Sequence, residues 1–213
     1  IRPNVETTPL LALEADRENT RANDGKCDPQ GRLWQGTMGF DSEGAAGALY
    51  RIDCKRQVTR EVSDIRISNG LCWDSQARRM YYIDTPTQRV DTFDFDPTTG
   101  SIENRRAAIQ VDTELGSPDG MTIDENGHLW IAMWDGAAVT HWDPQSGELL
   151  AVYELPVSRV TSCAFGGTAR RTLYVTTASA GLSSETLVEQ PLAGSLFALD
   201  PGVSGPTMAQ FCG

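Results

Sequence analysis

The sequence predicts an all-β protein, a β-propeller with about four blades represented, and three observations carry that prediction. Segments that set Asn or Asp beside Gly recur at intervals of about 46 and 50 residues: Asn23-Asp24-Gly25, Ser68-Asn69-Gly70 and Pro118-Asp119-Gly120. Each is followed about ten residues later by an aromatic-rich apolar run, Leu33-Trp34, Met80-Tyr81-Tyr82-Ile83 and Leu129-Trp130-Ile131. No stretch sustains a 3.6-residue apolar period for three turns. Residues 7–18 come closest, where chain is expected to enter the first repeat.

The units justify themselves in order. The first opens at Asn23, turns at Asp28-Pro29-Gln30-Gly31 and enters Leu33-Trp34. The second opens at Asn69, turns at Asp74-Ser75-Gln76-Ala77 and joins its later strands through Asp96-Pro97-Thr98-Thr99-Gly100. The third opens at Asp119, with matching turns at Asp124-Glu125-Asn126-Gly127 and Asp143-Pro144-Gln145-Ser146-Gly147. A fourth begins near Thr161-Ser162-Cys163 and continues into Leu173-Tyr174-Val175. Repeats of about 40–50 residues suit propeller blades or helical pairs. Short runs of β-branched and aromatic residues between turns select strands. Pro early in a turn and Gly at its end suit a type I turn that leads into a bulge. Each unit therefore reads as a four-stranded antiparallel meander, a propeller blade.

In such a blade the first strand lines the central channel. Asn23, Asn69, Asp119 and Thr161-Ser162 then fall on one rim, and the adjacent glycines allow backbone to approach closely there. An amide oxygen at Asn69 and a carboxylate at Asp119 are hard ligands for Ca²⁺, Mg²⁺ or Mn²⁺, and are acceptable to Zn²⁺. Asn-Gly and Asp-Gly are also common turn formers, and the repeat phase alone leaves the two readings level. Arg21, Asn23 and Asp24 form a polar group able to hold hydroxyls or a carboxylate; a surface Arg21–Asp24 pair is the plainer reading of the same residues. Asp28, Asp96, Asp143 and Asp200 read as turn formers, His128 and His141 as structural, and the tryptophans as strand core.

Composition narrows the classes. A formal charge of −11 argues against nucleic acid. No run approaches the ~18 apolar residues of a membrane helix. Cysteines 27, 54, 72, 163 and 212 are odd in number and form no C-x-x-C pair, so reduced, mostly buried thiols and a cytoplasmic protein are expected. The sequence holds no H-E-x-x-H, G-x-S-x-G, G-x-G-x-x-G or Walker loop. Metal-assisted chemistry is what remains.

Several segments in series resemble the regucalcin, senescence marker protein and gluconolactonase family. They are R-A-N-D-G-K-C-D-P-Q-G-R-L-W-Q-G-T-M (21–38), I-S-N-G-L-C-W (67–73), Y-Y-I-D (81–84), V-D-T-F-D-F-D (90–96), P-D-G-M-T-I-D-E-N-G-H-L-W-I-A (118–132), L-P-V (155–157) and T-S-C-A-F-G-G (161–167). The resemblance covers roughly residues 17–200. It implies a six-bladed propeller holding one divalent cation (Ca²⁺, Zn²⁺, Mn²⁺ or Mg²⁺) and hydrolysing a sugar lactone. The implied metal ligands are Asn69, Asp119 and a Glu from the first blade, with Asp119 also the catalytic base. Arg21 and Asn23 would hold substrate, and Glu43 (or Asp41), after G-T-M, would approach it. A calcium-binding regulatory protein without turnover is the alternative. A related metal-dependent esterase, phosphotriesterase or luciferin-regenerating hydrolase is another. Residues 1–213 are expected to form one propeller domain that lacks about the first third of the family and with it the Glu; Glu14 lies too close to Asn23 to replace it.

Overall fold

Our computed structural model describes residues 8–42 and 44–213. Fifteen strands form four antiparallel meanders. The first blade holds β1 (Thr20–Cys27), β2 (Leu33–Gly39), β3 (Gly47–Ile52) and β4 (Val58–Ile65). The second holds β5 (Ser68–Trp73), β6 (Arg79–Asp84), β7 (Arg89–Phe95) and β8 (Ile102–Gln110). The third holds β9 (Ser117–Ile123), β10 (Leu129–Trp134), β11 (Ala138–Asp143) and β12 (Glu148–Glu154). The fourth holds β13 (Val160–Gly166), β14 (Thr172–Thr177) and β15 (Leu196–Leu199). This is the four-blade β-propeller arrangement, with β1, β5, β9 and β13 side by side as the inner strands.

The core lies between blades, because a sheet covered on both faces buries both sets of side chains. Trp34, Leu71, Met80, Tyr82 and Phe95 fill the space between the first two blades. Ile83, Val90, Met121, Leu129 and Ile131 fill the next, and Trp130, Val160, Phe165 and Val175 the last. That explains the continuously apolar middle strands: all of Leu129–Met133 is buried. The outer strand β12 instead alternates between half-buried and exposed positions.

The Asn/Asp-Gly segments lie within the inner strands, not in turns. Strand register slips between Ala22 and Gly25, between Ser68 and Leu71, and opposite Ile131–Met133, where β9 carries Pro118 to Met121. Each segment is thus a β-bulge, a device that redirects a side chain at a strand end. The glycines serve close approach between blades. A Cβ on Gly70 would sit 2.6 Å from the Met121 nitrogen and 2.8 Å from the Asp119 carbonyl oxygen.

Two expectations need correction. Among the described residues the fourth unit has three strands rather than four. After β15 the Asp200-Pro201-Gly202 segment sends the chain across the neighbouring blades: Glu125 N–H donates to Ser204 O at 2.9 Å, Gly205 N–H to Arg170 O at 3.0 Å and Cys212 N–H to Gly31 O at 3.0 Å. This tail ends on the first blade in a Cys54–Cys212 disulfide. The expectation of uniformly reduced thiols therefore fails, because pairing depends on the path of a tail that cysteine spacing does not encode. Cys27, Cys72 and Cys163 are free, the last two buried. The disulfide also removes the cysteine argument for a reducing, cytoplasmic setting. No helix among the described residues is long and apolar enough to cross a membrane.

Two stability outcomes are expected. Gly70→Ala should cost about 1–3 kcal/mol in urea denaturation, since backbone atoms of β9 cannot yield to the new methyl. Reducing Cys54–Cys212, which spans 158 residues, should lower stability by about 2–5 kcal/mol; unchanged denaturation midpoints would contradict each.

Candidate functional site at the channel rim

The bulges of β1, β5 and β9 bring three polar side chains to one end of the channel. Asn69, buried in β5, donates its Nδ2 to Thr85 Oγ1 at 2.7 Å. Thr85 passes its own proton to Pro118 O at 2.7 Å. With its nitrogen so engaged, Asn69 presents its amide oxygen to the rim. Asn23 Nδ2 donates to that oxygen at 3.0 Å and to Ser68 O at 2.7 Å. The Asn23 oxygen in turn accepts from Arg21 Nη1 at 2.8 Å.

Asp119 stands half-buried on β9. Burial first, and then the nearby charge of Asp24, push its carboxyl up to about 8; the Gly120 N–H opposes them only in part. Asp24 is also raised, by burial, with Lys26 and the Gly25 N–H opposing. Lys26 reaches across the channel, donating Nζ to Met121 O at 2.7 Å. Two desolvated carboxylates thus share one rim, and burial holds each from its ordinary ionisation, with Asp24 adding to the effect at Asp119. An amide oxygen oriented by Thr85 and a carboxylate on the adjacent inner strand are the donor types that suit a hard divalent cation. Among the described residues these two are the rim's candidate ligands. Asn23 Nδ2 spends its donors on Asn69 Oδ1 and Ser68 O, so it fixes the Asn69 amide from the other side.

Arg21, Asn23, Asn69 and Asp119 are therefore neighbours along one rim. The alternative Arg21–Asp24 surface pair does not form: Arg21 holds Asn23 and the Ala22 carbonyl, whereas Asp24 Oδ1 accepts the Gly25 N–H. Glu43 lies outside the described residues. Glu14 is tied to Arg17, Thr37 and Tyr50 on the first blade. Sequence reading missed Thr85, which orients Asn69, and Lys26. The two-residue spacing of Asp24 and Lys26 on β1 was a usable signal for the second. Asp124, His128 and His141 form a separate group beyond the other end of β9.

Fold and rim together define a propeller protein whose inner strands converge oxygen-bearing side chains on one channel mouth. The chain belongs to the SMP-30/Gluconolactonase/LRE-like region family, whose model matches residues 2–179. It is 41% identical over 196 residues to YvrE of Bacillus subtilis, a protein named for an inferred sugar lactone lactonase activity, covering 92% of this chain and 67% of that one. Regucalcin of Sus scrofa is 41% identical over 202 residues, covering 92% and 68%. The structure of a calcium-binding regucalcin from Agrobacterium tumefaciens superposes with a TM-score of 0.89 at 34% identity, covering 93% of this chain and 67% of that chain. The chain thus spans about two thirds of the length of these relatives.

A pH dependence follows from Asp119. Its folded-state value lies above the ordinary 3.8, so its contribution to stability is full below that value and is lost as pH rises through about 8. Cation-free protein should weaken across this window in denaturation series with chelator, and Asp119→Asn should flatten the profile. Parallel profiles for the two proteins would contradict the shift.

Proposed function

We propose that this chain carries the catalytic rim of a divalent-cation-dependent lactonase that opens a sugar-derived lactone. The observation that carries the reading is the Arg21–Asn23–Asn69 hydrogen-bond chain, with the Asn69 amide oriented by Thr85, next to the inner strand that bears the desolvated Asp119 carboxylate. Family membership and the lactonase name of the Bacillus relative support the same chemistry.

Asn69 and Asp119 would hold the cation. When bound, it supplies Lewis acidity toward the lactone carbonyl and lowers the pKa of nearby water. Asp119, as the ionised carboxylate, takes the proton of the attacking water as the C–O bond to the carbonyl carbon forms. The ring C–O bond then breaks, and the leaving oxygen recovers a proton to give the hydroxy acid. Arg21 and Asn23 orient the sugar hydroxyls, Arg21 through the exposed guanidinium donors that Asn23 Oδ1 leaves over and Asn23 by exchanging its Asn69 contact for a substrate oxygen.

The likeness to the calcium-binding regucalcin of Agrobacterium tumefaciens favours a second reading, cation binding without turnover. Hydrolysis of an aldonolactone panel with and without chelator separates the two. Lactonase action predicts loss of turnover on chelation, restoration by added cation and a fall of ~100-fold or more for Asp119→Ala. Arg21→Ala should chiefly raise KM, by about tenfold. Chelator-insensitive turnover would overturn the metal-dependent mechanism. Tight Ca²⁺ binding with no hydrolysis across the panel would establish the second reading instead.

A further inference from the structure

The first and third blades use the same turn, with one chemical change. In the first, Asp28 Oδ1 accepts the N–H groups of Gln30 and Arg32, both at 3.0 Å. Its Oδ2 accepts Arg32 Nε at 2.6 Å and Trp34 Nε1 at 3.1 Å. In the third, Asp124 Oδ1 accepts the N–H groups of Asn126 at 2.9 Å and His128 at 3.0 Å, and its Oδ2 accepts Trp130 Nε1 at 3.0 Å. His128 thus occupies the place of Arg32. The cross-strand partner of the tryptophan changes likewise, from Arg51 opposite Trp34 to His141 opposite Trp130. The only two histidines of the chain therefore stand where the first blade has Arg32, which pairs with Asp28, and Arg51, which pairs with Glu61.

We propose that Asp124, His128 and His141 form a second metal site, for a borderline divalent ion such as Zn²⁺. Two imidazoles and one carboxylate are the donors such ions prefer, in contrast to the all-oxygen rim. Asp124 Oδ2 lies 3.2 Å from His141 Nε2 and 4.0 Å from His128 Nδ1, and the three ligand atoms fall within 4.8 Å of one another. Ligands around a tetrahedral ion at ~2.0–2.1 Å sit about 3.3 Å apart. The Asp124–His141 edge already meets that spacing, and a small side-chain rotation of the third-exposed His128 closes the rest. Trp130 supports the site twice: it donates to the ligating carboxylate, and its ring stacks on His141 at 4.0 Å. The ion would restore the positive charge that Arg32 gives Asp28. The five residues from Asp119 to Asp124 along β9 separate the two sites by about 16 Å, so this site does not depend on the lactonase reading.

Because both histidines of the chain belong to this group and none to the rim, imidazole signals report on it alone. The test is Zn²⁺ titration of chelator-treated protein, followed by NMR of the two imidazoles. Both rings should shift with one equivalent of Zn²⁺, and should do so equally in Asp119→Ala, which removes a rim ligand. His128→Arg installs the first-blade arrangement; it should keep the unfolding midpoint and weaken imidazole-linked Zn²⁺ binding at least ~10-fold. His128→Gln should weaken it similarly and serves if the arginine variant does not fold. Imidazole resonances unmoved by excess Zn²⁺, or undiminished Zn²⁺ binding in a folded His128 variant, would overturn the proposal.

Discussion

The backbone-to-backbone approach of the inner strands is the constraint on which the molecule rests. Blades can converge on a channel only if their first strands come closer than side chains normally permit. Gly70 lies against the Asp119–Met121 backbone, and Gly120 against Ser162, where a Cβ would stand 2.7 Å from the Ser162 Cα. The bulges that accompany these glycines are consequences of the same crowding. They interrupt the ladder at Asn23, Asn69 and Asp119, and let Asn23 reach across to Asn69. Packing and site are therefore one device, and neither can change without the other.

The rim concentrates unfavourable electrostatics in the way functional sites often do. Asp119 and Asp24 are desolvated close together, and Lys26 below them directs its ammonium to a backbone carbonyl. A protein selected only for stability would place a guanidinium there, as it does at Asp28 and Asp91, each paired with arginine. Among the described residues no ion pair reaches Asp119 in this way. Around Asp124 the logic differs: burial raises its carboxyl, but the hydrogen bonds from His141, Trp130 and the His128 N–H outweigh it and hold the pKa down.

Much of the fold was legible in the chain. Repeat spacing, strand chemistry and the Asp-Pro turns located the blades, and the matching phase of Asn69 and Asp119 placed them together. What escaped had non-local causes. The Thr85 contact that selects which end of the Asn69 amide faces the rim runs through a residue in a different loop. Asp24 was read with Arg21, its sequence neighbour, because nothing local shows that its charge acts on Asp119. His128 closes the turn before β10 and His141 lies on β11, and only the folding of that meander brings both onto one carboxylate.

By itself the sequence determined an all-β repeat with oxygen donors at equivalent positions, since periodicity and turn chemistry are local properties written residue by residue. Tertiary structure alone decided which atoms those side chains present, that the fourth blade stops at three strands, and that Cys54 meets Cys212. Each of these depends on distances between segments far apart in the chain. Such distances are set by how the blades pack, not by the order of residues within any one of them.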